Sequence, residues 1–405
     1  MAISCVGILK RIITINILVG VVFFLNYKLT ERERGQTLTY SFQSPAIVEN
    51  DVADVDYYQD DNDDKNRAHA VDMVAPPKDD NKTMLILIQS WWEHENYKTG
   101  STQFQECEET RCDITMDKSR IREADALVFL GQSYNFVKGD IPTYRRPDQK
   151  WIFVTREAPL RGYFVNSNHA VLRHAINLTA TYRADADIQW PYGYYLPRTT
   201  PYIQKPLQRK DPKNAITWLI SHCRANSQRM SYILDLQRYI NVDIYGRCGP
   251  YGCPETGSCV EYLASKYSFY IAFENTDCED YITEKVWENA LNTGMVPIVR
   301  GTKTDFSKFL PPNSFIHAES FGTAEYLAKY IKYLIDTPSE YAKYFEWKKS
   351  YETFLGGQMV FRCNMCKVLH ETRYEQRIAD LDKAWNAERQ CFKYHAELEK
   401  ELGLP

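Results

Sequence analysis

The residues best suited to chemistry lie in one stretch, 267–301. Its pattern predicts a buried strand at 270–273, a polar turn, a helix that begins at 282–285 and a second buried strand at 296–299. Such a unit directs the N-terminus of its helix, with unpaired N–H groups and partial positive charge, toward whatever binds above the strand ends. A lysine in the first turn opposes the helix dipole unless an anion lies nearby. We therefore expect Lys285 to bind an anionic group such as a phosphate.

The same stretch resembles the donor-binding segment of the α1,3-fucosyltransferase family, and the chain looks like an invertebrate-type member of it. The matching strings are Phe273-Glu274-Asn275, Asp280-Tyr281-Ile282-Thr283-Glu284-Lys285 and Val296-Pro297. In that family the segment holds the diphosphate and the fucose of GDP-fucose. The resemblance implies donor-binding roles for Asn275, Tyr281, Glu284 and Lys285. The alternatives are that Glu284 and Lys285 are solvated charges and that Tyr281 belongs to the core.

A nucleotide diphosphate gains negative charge as its bond to the sugar breaks. Many transferases neutralise this charge with a divalent metal held by an Asp-x-Asp pair, but fixed cations can do the same. Here Asp54 and Asp56 fall in an acidic N-terminal segment, and Asp185 and Asp187 fall away from the donor segment. We assign neither pair to a metal. We expect GDP-fucose as the donor substrate, no required cofactor, and a divalent metal as at most a stimulant.

The resemblance points to a second cation, Arg229, which follows a predicted strand and begins a predicted helix. The family has an arginine in this register that contacts the diphosphate. Arg224 is the competing candidate, and a surface charge is the alternative for Arg229. Ser221 matches a donor-binding position of the family, whereas His222 stands where the family often has asparagine. Tyr192 is a weaker match to a donor-lining tyrosine, and a core role is its alternative.

The acceptor hydroxyl must lose a proton as it attacks, and a carboxylate within hydrogen-bond reach is the usual base. Glu157 follows directly on a predicted buried strand at 151–155, so we expect it to project toward the substrate. The family has Glu-Ser-Pro at this point, and this chain has Glu-Ala-Pro. An ion pair with Arg156 is the alternative for Glu157. Glu93 and Glu95 are alternative carboxylates.

Strand-like and helix-like segments alternate along the chain, which predicts an α/β fold. We expect two Rossmann-like domains facing a cleft, the GT-B arrangement that the resemblance also implies, preceded by a transmembrane signal anchor and a disordered stem. Predicted strands lie at 84–88, 126–130, 151–155, 215–221, 242–245, 270–273 and 296–299, and predicted helices lie at 227–240, 323–335 and 339–351. The predicted boundaries are a cytosolic tail at 1–11, an anchor at 12–27, a stem at 28–82, an acceptor-side domain at 83–196, a linker at 197–213, a donor-binding domain at 214–355 and a disulfide-stapled C-terminal tail at 356–405.

The apolar run at 12–27 follows the basic pair Lys10-Arg11 and is short for a typical membrane span. No cleavage-site pattern follows it, which favours an uncleaved signal anchor over a cleaved signal peptide. A short span suits the thinner membranes of the early secretory pathway. The acidic segment that follows has too little apolar content to fold and fits a tether. We therefore expect a single-pass type II protein of the Golgi membrane with a lumenal catalytic part.

The chain contains 11 cysteines, of which Cys5 precedes or lies in the anchor, so an even number follows it. This count suits an oxidising compartment and several disulfides. The sequons at Asn81 and Asn177 would be glycosylated in the same compartment.

Cys107 and Cys112 are close in sequence, and we expect them to pair with each other. Cys363 and Cys366 form a C-x-x-C motif, which could be a redox pair or half of a zinc site. The family carries a similar C-terminal motif in disulfides, and the resemblance implies disulfides here. The partners of four further cysteines are left open: Cys248, Cys253, Cys259 and Cys278.

With a net charge of −4 the chain offers nothing that indicates a nucleic-acid partner. The resemblance implies an α1,3-fucosyltransferase that moves L-fucose from GDP-β-L-fucose to O3 of a GlcNAc in protein-linked N-glycans, with inversion. One alternative is a catalytically inactive, membrane-anchored glycan-binding protein on the same scaffold. Another is an inverting transferase that uses a different nucleotide sugar. Which GlcNAc accepts the fucose is left open.

Overall fold

The computed structural model of the chain describes residues 81–90, 98–131, 142–159, 175–203, 210, 215–372 and 381–392. The predicted cytosolic tail and anchor and most of the predicted stem lie outside these residues. Within the described ranges, no helix is both long enough and apolar enough to cross a bilayer.

The described residues form fifteen strands and eight α-helices. The strands are β1 (Met84–Ser90), β2 (Cys112–Thr115), β3 (Ala126–Leu130), β4 (Lys150–Val154), β5 (Leu178–Thr181), β6 (Ile188–Gln189), β7 (Gly193–Pro197), β8 (Ile216–Leu219), β9 (Val242–Tyr245), β10 (Phe269–Ile271), β11 (Asp277–Cys278), β12 (Val296–Val299), β13 (Ile316–His317), β14 (Tyr351–Leu355) and β15 (Cys391–Phe392). The helices are α1 (Arg229–Leu236), α2 (Cys259–Lys266), α3 (Glu284–Val286), α4 (Ala324–Asp336), α5 (Pro338–Lys343), α6 (Gln358–Glu371), α7 (Leu381–Ala384) and α8 (Ala387–Gln390). Helix α3 continues into a π-helical turn at Trp287–Leu291, and 3₁₀ turns lie at Ser101–Phe104, Lys118–Arg122, Phe306–Lys308, Ala318–Phe321 and Glu346–Lys349.

The first sheet is parallel, with strands in the order β2-β1-β3-β4-β5-β6. Strands β1, β3 and β4 are buried along their whole length, as expected for parallel strands that are covered on both faces. Because side chains alternate between the faces, Ile86, Val128 and Ile152 join the core on one face. Leu87 and Phe129 join the core on the other.

The second sheet is also parallel, with strands in the order β13-β12-β10-β8-β9. Helices α1 and α4 cover one face through residues such as Ile233 and Leu327. Helix α2 and the π-helical turn cover the other face through Leu263 and Trp287. Two parallel sheets, each with apolar cores on both faces, confirm the predicted α/β fold class. The domain boundaries stay a prediction.

The C-terminal segment returns to the first sheet after the second sheet is complete. Helix α6 packs Phe361, Met365 and Leu369 into the core that also contains Ile86. Two shorter antiparallel pairs, β7 with β14 and β11 with β15, also join parts of the chain that are distant in sequence.

Two disulfides link helix α6 covalently to the first half of the chain. Cys107 pairs with Cys363 and Cys112 pairs with Cys366. The predicted local pair of Cys107 with Cys112 is therefore wrong, because each of the two reaches helix α6 instead. The three other disulfides that the structure describes are Cys223–Cys248, Cys253–Cys259 and Cys278–Cys391.

The sequon at Asn177 is a second correction. Asn177 is only 2% exposed, and its Oδ1 accepts hydrogen bonds from the Trp151 backbone N–H at 2.8 Å and from Arg145 Nη2 at 2.6 Å. A side chain held in this way inside the fold cannot carry a glycan, so the prediction for Asn177 is wrong. Asn81 is exposed and its glycosylation stays a prediction.

The predicted elements fall close to the observed ones, with one clear error. Strands β3, β9 and β12 have the predicted bounds, and α4 is shifted by one residue. The helix predicted at 339–351 is wrong in its second half: α5 ends at Lys343 and the chain enters β14 at Tyr351.

Candidate active site

Glu157 lies three residues after β4, at the carboxyl end of the first sheet. Its backbone N–H bonds to Thr155 Oγ1 at 3.2 Å, which fixes the turn that follows the strand. Its Oε2 accepts a hydrogen bond of 3.1 Å from the hydroxyl of Tyr281. Glu157 is half-buried. The position therefore combines a defined orientation with partial exposure, which a general base requires.

Tyr281 comes from the segment between β11 and α3, so its contact with Glu157 joins the two halves of the chain. Its ring is buried and packs against the ring of Tyr182 at a centroid distance of 4.8 Å. Burial raises the pKa of Tyr281 well above its usual value. The hydroxyl therefore stays protonated at neutral pH and donates to the carboxylate. The alternative that Tyr281 is a core residue holds for its ring but not for its hydroxyl.

Polar contacts between the halves hold the Tyr281 segment in place. Arg183 Nη1 donates to Glu279 Oε2 at 2.6 Å. The backbone N–H of Ala184 donates to Asp280 Oδ2 at 3.1 Å. The position of Tyr281 beside Glu157 is therefore fixed by its neighbours and not by the hydroxyl alone.

Lys285 lies among carboxylates at the start of α3. Its Nζ is 2.9 Å from both Glu274 Oε2 and Glu284 Oε1. Burial alone would lower the pKa of Lys285, but the two negative charges outweigh it and raise the pKa. Lys285 therefore stays charged. The alternative of a solvated first-turn charge is wrong for Lys285, whose side chain is only 15% exposed, whereas the Glu284 side chain is 45% exposed.

Glu274 occupies the N-terminus of α3. It is 5% exposed, and its Oε1 accepts from the backbone N–H of Thr283 at 2.8 Å. The sequence pattern predicted an anion beside Lys285 at the start of the helix, and the Glu274 carboxylate is one such anion. The contact of Lys285 with a diphosphate stays a prediction. A diphosphate bound there would share the Lys285 ammonium group with the carboxylates of Glu274 and Glu284.

Arg229 is buried in the first turn of α1, so the alternative of a surface charge is wrong. Its guanidinium donates to the backbone carbonyls of Phe273 at 2.8 Å and His222 at 3.0 Å. It also lies over the ring of Trp218. These bonds tie the ends of β8 and β10 together. The contact of Arg229 with a diphosphate stays a prediction.

The loop before α1 binds the donor-segment motif through its backbone. Ser227 donates through its N–H to the carbonyl of Asn275 at 3.2 Å and through its hydroxyl to the carbonyl of Glu274 at 2.7 Å. With the bond from Arg229 to Phe273, three consecutive carbonyls are engaged. Reasoning from sequence did not single out Ser227, although its place two residues before the candidate arginine was a usable signal.

The remaining predicted donor residues lie around this loop. Asn275 is half-buried, and its Oδ1 accepts from the hydroxyl of Thr276 at 3.2 Å. Ser221 and Arg224 are exposed. Their roles stay predictions. The alternative carboxylates Glu93 and Glu95 lie outside the described residues.

Tyr192 belongs to the Glu157 side of the site. Its hydroxyl donates to the backbone carbonyl of Arg156 at 2.8 Å, and its ring lies 3.8 Å below the Arg156 guanidinium. Its ring meets that of Tyr281 edge-on at 6.4 Å. The predicted alternative of an ion pair between Arg156 and Glu157 is wrong, because Arg156 stacks on aromatic rings.

The site thus pairs a half-buried carboxylate, Glu157, with a protonated tyrosine, Tyr281, and the segments that follow β8 and β11 add the charged side chains of Arg229 and Lys285. Such a set can deprotonate a hydroxyl and neutralise an anionic leaving group.

Comparison with known proteins agrees with this chemistry. Residues 208–385 match the model of glycosyltransferase family 10 (fucosyltransferase), C-terminal part, and residues 81–193 match the fucosyltransferase N-terminal model. The chain is 32% identical over 316 residues to alpha-(1,3)-fucosyltransferase fut-1 of Caenorhabditis elegans, covering 74% of this chain and 69% of that protein. It is 33% identical over 319 residues to 4-galactosyl-N-acetylglucosaminide 3-alpha-L-fucosyltransferase FUT6 of Pan troglodytes, covering 77% of this chain and 86% of that protein.

A crystal structure of an alpha1,3-fucosyltransferase with GDP-fucose, 16% identical, aligns with 76% of this chain and 94% of that chain at a TM-score of 0.46. The family models together span both parallel sheets of the described fold. On the matches to the two family models and to relatives of 32% and 33% identity, the chain belongs to glycosyltransferase family 10, the fucosyltransferases.

Proposed function

We propose that this chain transfers L-fucose from GDP-β-L-fucose to O3 of a GlcNAc residue in protein-linked N-glycans, with inversion at the anomeric carbon. The observation that carries the proposal is the hydrogen bond of 3.1 Å from Tyr281 to Glu157. It brings the candidate base of the first half against the donor segment of the second, where a sugar on the nucleotide would meet an acceptor hydroxyl.

The proposed reaction is a single displacement. A carboxylate oxygen of Glu157 accepts the proton of the acceptor O3–H while O3 attacks C1 of fucose. The bond between C1 and the β-phosphate oxygen breaks, and its electron pair leaves with GDP. Attack on the face opposite the leaving group converts the β-linked donor into an α-linked product. Because Tyr281 engages Oε2, Oε1 is the oxygen we assign to the acceptor proton.

We further propose that fixed cations, and not a required metal, neutralise the departing GDP. Lys285 and Arg229 are the cations that the family resemblance assigns to this role. Both are held in place by protein partners, so neither has to reorganise as charge develops. Transfer that continues in excess chelator is the expected result, and complete silencing by the chelator would refute this part.

The assay for the main proposal uses the full-length protein, labelled GDP-fucose and a panel of GlcNAc-bearing glycans, with products assigned by mass spectrometry. Glu157→Gln should abolish transfer while GDP binding persists. Glu123→Gln, an exposed carboxylate whose partner is the surface residue Arg120, should leave the rate unchanged. Undiminished transfer by the Glu157 variant would remove the base assignment. No transfer by the wild-type protein to any glycan in the panel would favour an inactive glycan-binding protein.

We also propose that residues 12–27 anchor the chain in the Golgi membrane as a single-pass type II protein, with 28–82 as a lumenal tether that holds the two-domain GT-B catalytic part away from the bilayer. The apolar run at 12–27 supports the anchor, and the five disulfides support an oxidising lumen. Protease protection of the C-terminal part in sealed microsomes, lost on adding detergent, is the expected result.

A further inference from the structure

Three buried or half-buried cations surround the candidate site, and they differ in how their N–H groups are used. Lys285 is engaged by Glu274 and Glu284, and Arg229 is engaged by two backbone carbonyls. Arg156 is different. Among the described residues, no acceptor or carboxylate engages its guanidinium, and its Nε is inaccessible to solvent.

The Arg156 side chain is nevertheless held in one orientation. Its guanidinium stacks over the ring of Tyr192 at 3.8 Å and over the ring of Trp190 at 4.9 Å. The Tyr192 hydroxyl also bonds to the carbonyl of Arg156 itself. The same tyrosine therefore fixes both the backbone and the side chain of Arg156, so little entropy remains to be lost when a ligand binds.

Arg156 is half-buried, and its Nε has lost water and gained no protein acceptor in exchange, which is costly. Burial lowers the pKa of Arg156, while Glu284 and Glu157 among its neighbours oppose that shift. Geometry places Arg156 beside the candidate site: its guanidinium stacks on Tyr192, whose ring meets that of Tyr281. Arg156 therefore lies next to the contact between Tyr281 and Glu157, where both substrates are proposed to bind, with N–H donors that the described protein residues do not use.

We propose that Arg156 binds the diphosphate of the donor nucleotide. The inference rests on the proposed function, in which that diphosphate is the anionic group of the two substrates. A guanidinium is planar and presents paired N–H donors that match phosphate oxygens, which makes it better suited to this task than an ammonium group. Arg156 would then supply the positive charge that Lys285 shares with two carboxylates.

The test compares GDP with guanosine, which lacks both phosphates, on the full-length wild-type protein and on Arg156→Gln, Arg156→Lys and Arg238→Gln. Calorimetry gives the affinity for GDP, and competition gives that for guanosine. Arg238 is a matched control, because it is 71% exposed and pairs only with Asp235 among the described residues. We expect Arg156→Gln to weaken GDP binding by about tenfold or more, the usual effect of losing a hydrogen bond to a charged group, with guanosine affinity unchanged. Arg156→Lys should keep part of the preference for GDP, and Arg238→Gln should keep all of it.

Two results would overturn the inference. One is an Arg156→Gln protein that binds GDP as tightly as the wild type. The other is a parallel loss of GDP and guanosine affinity, which would indicate that Arg156 only supports the fold around Tyr192. If Arg156→Gln does not fold, as judged by its melting temperature, the affinities for GDP and guanosine are measured on Arg156→Lys instead. GDP binding as tight as in the wild type, or an equal loss of affinity for GDP and guanosine, would then overturn the inference. A wild-type protein that binds no GDP would instead refute the proposed function, so the two failures are distinguishable.

Discussion

The hydroxyl of Tyr281 donates a hydrogen bond of 3.1 Å to Oε2 of Glu157, and the two residues are 124 positions apart in sequence. The bond joins the turn after β4 to the segment before α3. One oxygen of the carboxylate is thereby held by the protein, and the orientation of the other is set.

We predict that Tyr281→Phe lowers the rate of fucose transfer by about tenfold or more, because a hydrogen bond to a charged group is worth about 1.5–3 kcal/mol. The ring contact with Tyr182 at 4.8 Å would remain, so the fold should be kept. Single-turnover rates with saturating GDP-fucose would measure the effect on the chemical step.

Tyr182→Phe is the matched control for that variant. Tyr182 is also buried, but within the described structure its hydroxyl has no hydrogen-bond partner. Removing a buried hydroxyl that lacks a partner should be neutral or stabilising. A loss of activity in Tyr182→Phe equal to that in Tyr281→Phe would contradict the role given to the Tyr281 hydroxyl.

Gly193 allows the second half to pack close to β7. A Cβ at this position would overlap the indole of Trp287, which begins the π-helical turn two residues after Lys285. We predict that Gly193→Ala destabilises the protein by about 1–3 kcal/mol, as overpacking commonly does, and weakens GDP binding because Trp287 must move. Thermal unfolding and GDP titration would measure the two effects.

Gly252→Ala is the control for this prediction, since a Cβ at Gly252 would meet nothing within 4 Å. It should change stability by less than about 0.5 kcal/mol. Equal effects of the two glycine substitutions would show that contact with Trp287 is not the cause.

The disulfides Cys107–Cys363 and Cys112–Cys366 close almost the same loop, with separations of 256 and 254 residues. Once either disulfide has formed, the other closes only the short ring made of residues 107–112, residues 363–366 and the first disulfide. From the loop-entropy relation we predict a loss of about 2–3 kcal/mol when either pair is replaced by alanines, and of about 8 kcal/mol when both are. Chemical unfolding of the two double variants and the quadruple variant would test this. Strictly additive losses would contradict the shared loop.

Glu109 gives a prediction for acid conditions. Its hydrogen bond with Arg111 at 2.8 Å lowers the pKa of Glu109 to about 2. Because the folded pKa lies below the unfolded value of about 4.3, the stabilisation is complete above that value and is lost as the pH falls toward 2. Glu109→Gln should therefore be less stable than the wild type by about 1 kcal/mol at pH 7, and the difference should vanish near pH 2.

Unfolding followed at pH 7, 4 and 2.5 would measure this difference. Arg111→Gln should behave like Glu109→Gln, and the double variant should be no worse than either. A difference between wild type and variant that grows on acidification would contradict the assigned direction.

Local patterns predicted much of the fold because they depend on neighbours in sequence. Apolar runs at β3, β9 and β12 were bounded correctly, since parallel strands buried on both faces are continuous in hydrophobicity. Strand β14 has no counterpart among the predicted strands, because its residues are mostly half-buried and its partner β7 lies more than 150 positions away. Such pairing leaves little trace in either segment alone.

The site was predictable in its residue types and less so in its partners. Glu157 and Tyr281 are both site candidates from sequence, but nothing in sequence indicated that they bond to each other. Glu274 was noted only as part of a matching string, whereas it supplies the anion at the start of α3. Disulfide pairing failed for the same reason, because connectivity depends on three-dimensional proximity that spacing does not reveal.

Helix α6 has a consequence for how this protein is made. The strands of the first sheet are synthesised early, yet one of their two apolar faces is covered by residues such as Phe361 and Met365, which emerge from the ribosome only after the whole second sheet. The first sheet therefore stays incompletely covered until the segment that follows the second sheet has been synthesised. A product truncated before α6 would expose that apolar face and would lack the disulfide partners of Cys107 and Cys112, two features that distinguish it from a chain that includes α6.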